Sequence, residues 1–100
     1  MKIEVREEGG IVVIKPEEEI HYDNYKEVED KINTLIDKGT TNIAIDLENV
    51  SQMYSMTLGM LNKIAARIIE KGGKFSLRNL TSGARKMLKI TRLDKIIDIK

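Results

Sequence analysis

Few side chains in this sequence can do chemistry near neutral pH, and they fall in two short stretches. The first is Ile20-His21-Tyr22-Asp23, which follows the acidic run Glu17-Glu18-Glu19. His21 is the only histidine and there is no cysteine. Without a second His, a thiolate or a carboxylate pair at ligand spacing, it reads as a surface residue and no metal site is expected. The glutamates read as a solvated loop. The second stretch is Tyr54-Ser55-Met56-Thr57-Leu58-Gly59. A hydroxyl at a helix start faces unpaired N–H groups and the positive end of the dipole. Ser55 or Thr57 could therefore cap a helix, worth about 1 kcal/mol, or present a modifiable hydroxyl beside a favourable field. Met53, Met56 and Met60 cluster here too, as core filling or as an adaptable partner surface. The glycine pairs lie in a turn and after a helix, so none forms a phosphate-cradling loop between strand and helix. No cofactor is expected.

Composition narrows the classes. The chain has 100 residues, 41% hydrophobic and 33% charged, enough for one core and one domain, residues 1–100. Seventeen Lys and Arg balance sixteen Asp and Glu, a net charge of +1, which gives no general drive toward nucleic acid or anionic membrane. No run approaches the roughly 18 apolar residues of a membrane span. The start, Met1-Lys2-Ile3-Glu4-Val5-Arg6, is too charged for a secretory segment, so a cytoplasmic protein is expected. The dominance of Lys and Glu, with no Cys or Trp, is thermophile-like.

The elements that must position these residues follow from periodicity. Ile3 and Val5 alternate with charged residues, as in a half-exposed strand, and Gly9-Gly10 marks a turn. Ile11 to Ile14 is a β-branched run that Pro16 ends. A helix is predicted over residues 24 to 38, opened by an Asn24/Glu27 capping box, with Tyr25, Val28, Ile32, Leu35 and Ile36 inward and Gly39 at its end. Residues 41–47 read as a buried strand. A second helix is predicted from near Thr57, with Leu58, Leu61, Ala65 and Ile68 inward, ended by Gly72-Gly73. Gly59 inside it implies close packing against the sheet, where a Cβ would collide. Residues 74–77 form a strand, and a third helix begins near Ser82 with Ala84, Met87, Leu88 and Thr91 inward. Residues 96–99 close the order ββαβαβαβ. Such an order implies an α/β fold: a mostly parallel sheet with right-handed βα crossovers and one early hairpin.

From about Ile11 to Ile99 the chain resembles a STAS domain, the fold of bacterial anti-sigma factor antagonists. The family pattern runs from a strand ending in Asp or Asn through a loop to Asp-Ser-Ser/Thr-Gly-Leu-Gly and a helix. Here Asp46-Leu47 ends the strand and Ser55-Met56-Thr57-Leu58-Gly59 stands at the motif. Lys71-Gly72-Gly73-Lys74-Phe75, the run Ser82 to Leu88, and Leu93-Asp94-Lys95-Ile96 resemble the later family segments. Tyr54 replaces the motif Asp, Met56 the second hydroxyl and Thr57 the first glycine. His21 stands where phosphorylated members often carry Asp.

The resemblance implies a regulatory binding module without catalysis. Such a module binds an anti-sigma factor that is also a serine kinase, and phosphorylation of the serine aligned with Ser55 switches it off. Ser55 is the expected phosphoacceptor, with Thr57 as the alternative. His21, Tyr22, Asp23, Tyr54, Ser55, Met56, Thr57 and Leu58 are the expected partner surface, because both loops follow strands and should leave the same sheet edge. The competing expectation is a scaffold that assembles with another regulator or with itself as a weak homodimer, without a phosphorylation cycle. Tyr54 and Met56 favour it, since aromatic residues and Met are enriched at interfaces. A small nucleotide-binding enzyme is disfavoured by the missing phosphate loop and the single His.

Overall fold

Gly9 and Gly10 both adopt positive φ, 54° and 88°, as a two-residue hairpin turn of mirror-image type demands. They join strand β1 (Ile3–Glu8) to β2 (Ile11–Pro16) in an antiparallel register that sets Glu8 opposite Ile11 and Ile3 opposite Pro16. In the computed structural model, which describes Met1–Lys100, the chain continues through α1 (Tyr25–Asp37), β3 (Asn42–Asp46), α2 (Ser55–Glu70), β4 (Lys74–Arg78) and α3 (Ser82–Ile90). A 3₁₀ turn (Leu93–Lys95) and β5 (Asp98–Ile99) complete it. The five strands lie in sequence order, and every pairing after the first is parallel. The expected α/β architecture is observed.

Alternation along the strands separates the sheet's two faces. Ile14, Ile43, Ile45, Phe75 and Leu77 point one way and join Val28, Ile32 and Ile36 of α1, Leu61, Ile64 and Ile68 of α2, and Leu88 of α3 in one cluster. Burying each such side chain contributes roughly 1.5–3 kcal/mol. Val13 and Ala44 have the opposite parity and lie outside that cluster, yet neither is exposed. Arg6 pairs in register with Val13, and Val13 with Ala44, so an ionic layer shares this side. Arg6 Nε donates to Glu8 Oε2 (2.6 Å) and its Nη1 to Glu4 Oε2 (3.0 Å), while Arg78 Nη1 donates to Glu8 Oε1 (2.8 Å). Hydrogen bonds from Arg78 and Arg6 hold the Glu8 carboxyl below its ordinary range. The aliphatic stems of these arginines can cover apolar surface while their heads stay wet.

Several local expectations are corrected. The Asn24/Glu27 capping box does not form: Asn24 is the N-cap of α1 but makes no side-chain cap bond, and Glu27 instead accepts from the terminal amine of Met1 at 2.7 Å. Helix α2 begins at Ser55, two residues before the predicted start. Leu58 is only partly buried. Met87 and Thr91 do not face inward: Met87 is exposed, and Thr91 Oγ1 donates to the carbonyls of Met87 and Leu88. α3 keeps only Ala84 and Leu88 in the core. The closing strand is two residues long because the 3₁₀ turn takes the chain up to Lys95; Ile97 is buried and Ile96 exposed.

Gly59 also departs from its reading. It lies inside α2 but faces outward, and an added Cβ would meet nothing within 4 Å. Gly73 has the property expected of Gly59, since its added Cβ would collide with the Thr41 backbone carbonyl. Gly59→Ala should therefore stabilise the protein by about 0.5–1 kcal/mol. Gly73→Ala should destabilise it by about 1–3 kcal/mol, because backbone must shift. Paired urea melts check the opposite signs.

Candidate functional site

β2 and β3 run parallel and adjacent, so the loops that follow them leave the same edge of the sheet. The β2–α1 loop is built around Asn24, a buried amide. Its Oδ1 accepts from the His21 N–H (2.9 Å), and its Nδ2 donates to the Glu19 carbonyl (2.9 Å) and Glu18 Oε1 (3.1 Å). These bonds consume the side chain that would otherwise have capped α1. The β3–α2 loop is shaped by Asp46, also buried, whose Oδ1 accepts from the Glu48 N–H and from Asn79 Nδ2, both at 3.0 Å. Leu47 and Val50 sink into the core and hold this loop down.

One carboxylate joins the two loops. Glu19 accepts from the Ser51 N–H (3.0 Å to each oxygen), from Ser51 Oγ (2.6 Å) and from the Gln52 N–H (3.2 Å). Partial burial pushes the Glu19 carboxyl up, but the bonds from Ser51 and Gln52 outweigh it and hold the group below the ordinary carboxylate range. Sequence reasoning missed this residue. Glu17 and Glu18 are exposed as expected, Glu18 accepting only a local bond from Asn24, but Glu19 has partners 32 and 33 positions away, for which no local pattern exists. Ser51 and Gln52 went unassigned for the same reason.

The predicted site residues divide by exposure. His21, Tyr22 and Asp23 are exposed, and Tyr22, at 76%, is the most exposed of the large hydrophobic side chains. Tyr22 and Tyr25 pack as tilted rings with centroids 6.4 Å apart. Tyr54 and Ser55 are exposed at the start of α2, and Met56 and Leu58 are half-buried. Thr57 is fully buried, so it does not belong to the presented surface. Neither hydroxyl caps the helix. The N-cap is Tyr54, in extended conformation (φ −78°, ψ 164°), and its side chain makes no cap bond. Ser55 is therefore the first helical residue, and α2 starts with uncapped N–H groups and no acidic residue in its first turn. The larger of the two cavities, about 600 Å³, lies where β2, β3 and β4 begin, near Ile11, Asn42 and Lys74. The candidate loops present a surface rather than a pocket, a shape suited to a macromolecule more than to a small ligand.

Comparison with known proteins agrees with this architecture. The STAS domain model matches residues 2–100, and the chain belongs to the STAS family. A Thermotoga maritima protein named as an anti-sigma factor antagonist is 27% identical over 90 residues, covering 89% of this chain and 80% of that protein. A counterpart from Thermotoga neapolitana gives the same values. The crystal structure of an anti-sigma factor antagonist from Thermotoga maritima superposes with a TM-score of 0.91 at 24% identity, covering 97% of this chain and 84% of that one. The Bacillus cell-fate determinant SpoIIAA in its phosphorylated form gives 0.77 at 22% identity, covering 99% and 91%. The fold is that of the anti-sigma factor antagonists. No helix is long and apolar enough to cross a membrane.

The uncapped start of α2 gives a direct test of this local geometry. Tyr54 already has N-cap backbone angles but no side-chain acceptor that reaches the first-turn N–H groups. Tyr54→Asp should raise stability by about 0.5–2 kcal/mol through a new cap bond and the dipole. Ser55→Ala should change stability by only a few tenths of a kcal/mol, as for an ordinary surface position. Thermal melts of both variants check these values.

Proposed function

We propose that this chain is a regulatory binding module of the anti-sigma factor antagonist type, acting in the cytoplasm without catalysis of its own. It sequesters an anti-sigma factor with serine kinase activity and is switched off by phosphorylation of Ser55. The observation that carries the reading is the contrast at the start of α2. Ser55 is exposed at the first helical position, on the edge from which both loops emerge, whereas Thr57 is fully buried. Ser55 is thus the hydroxyl that a kinase can reach. A phosphate there adds about −1.5 to −2 charges. The helix dipole and unpaired N–H groups favour that charge, so the fold tolerates it. A docked partner must desolvate it and meets new repulsion, which costs several kcal/mol. The switch then acts at the interface without refolding.

The scaffold reading also has support on the same surface. Tyr22 and Tyr54 are exposed, and Tyr54 stands where the family carries Asp. An aromatic rim of this kind suits a constitutive contact with another regulator or a second copy.

Incubation with ATP and the cognate anti-sigma kinase, followed by mass spectrometry, should find phosphate at Ser55 and none at Thr57. Ser55→Asp should melt near the parent temperature and bind the partner at least about tenfold more weakly, while Ser55→Ala binds as the parent does. Tight binding by Ser55→Asp, with no phosphate on either residue, would replace the switch by the scaffold.

A further inference from the structure

We infer that the Ser51–Gln52 amides form a carboxylate cradle whose resident ligand is the chain's own Glu19, and that Glu19 is the positioning residue of the surface read above. Two consecutive backbone N–H groups and the Ser51 hydroxyl converge on one carboxylate at 2.6–3.2 Å. Successive N–H groups aimed at one point are how loops bind anions. Charge-assisted bonds of this kind are shorter and stronger than neutral ones. No Lys or Arg donor supplies these bonds; they come from N–H and O–H groups alone.

Both halves of the contact are anchored by their neighbours. Ile20 and Val50, next in sequence to Glu19 and Ser51, are fully buried in the same apolar cluster. The Glu19 carbonyl is held from the other side by Asn24 Nδ2. The Glu19 backbone therefore belongs to the β2–α1 loop, and its carboxylate belongs to the loop that ends at Tyr54. Side chains before α1 and at the start of α2 are thereby held in one arrangement. Glu19 need not touch a partner; it fixes the residues that would. This role rests on the recognition reading above, whereas the cradle does not.

Amide hydrogen exchange on the full chain tests both parts. In Glu19→Ala the Ser51 and Gln52 amides should exchange about tenfold faster or more, as loss of charge-assisted bonds implies, while Ile43 to Ile45 in β3 keep their protection. Sodium formate, matched in ionic strength with sodium chloride, should restore protection in that variant, because formate can enter the vacated cradle. Ser51→Ala keeps both N–H donors and should change Gln52 exchange less than Glu19→Ala does. Should Glu19→Ala fail to fold, Glu19→Met, of similar length but without an oxygen acceptor, is read in the same way, without formate. Unchanged exchange in the Glu19 variant, or equal effects of formate and chloride, overturns the cradle. Formate-restored protection together with parental affinity of Glu19→Ala for the anti-sigma partner leaves the cradle standing and overturns the positioning role.

Discussion

Parallel pairing of β2 with β3 forces the loops leaving both strands to emerge at one edge of the sheet. That pairing depends on the aliphatic layer below it. Ile14, Ile43 and Ile45 lie against α1 and α2 with essentially no exposure, and the β-branched residues that fill the layer also favour extended backbone. The candidate surface is thus a consequence of the core. Leu47 and Val50 extend the same layer past the end of β3, so the loop before α2 is held from within before its polar contacts form.

Polar contacts then fix the exposed arrangement. Asp46, Asn24 and Glu19 each accept backbone N–H groups of the two loops. A typical bond of this kind contributes about 0.5–1.5 kcal/mol net, and together they select one conformation for each loop. The surface that results combines an exposed serine at a helix start with two exposed tyrosines.

Much of the fold was legible from residue order. The β-branched runs marked β2 and β3, the hairpin glycines marked the turn, and Gly39 and Gly72 stand just beyond the ends of α1 and α2. The family resemblance found the motif helix. What failed was tertiary in origin. Asn24 has the spacing of a capping box, but its amide is recruited by the loop, and Glu27 by the terminal amine. Gly59 and Gly73 exchange roles, because which glycine meets another backbone depends on the approach of Thr41, remote in sequence. Met87 fits the apolar spacing of α3, yet that helix docks through only Ala84 and Leu88. For the site, residue types identified the exposed members of both loops but not the buried state of Thr57. Nor did they reveal Glu19, which looks like its two solvated neighbours.

The central claim is that the β2–α1 loop and the start of α2 act as one partner-recognition surface. Comparing amide hydrogen exchange of the free chain with that of its complex with the cognate anti-sigma factor tests it most directly. The account predicts new protection in residues 19–24 and 51–59, appearing together and at the same partner concentration. Protection confined to α3 and β5, or in one loop without the other, would contradict it.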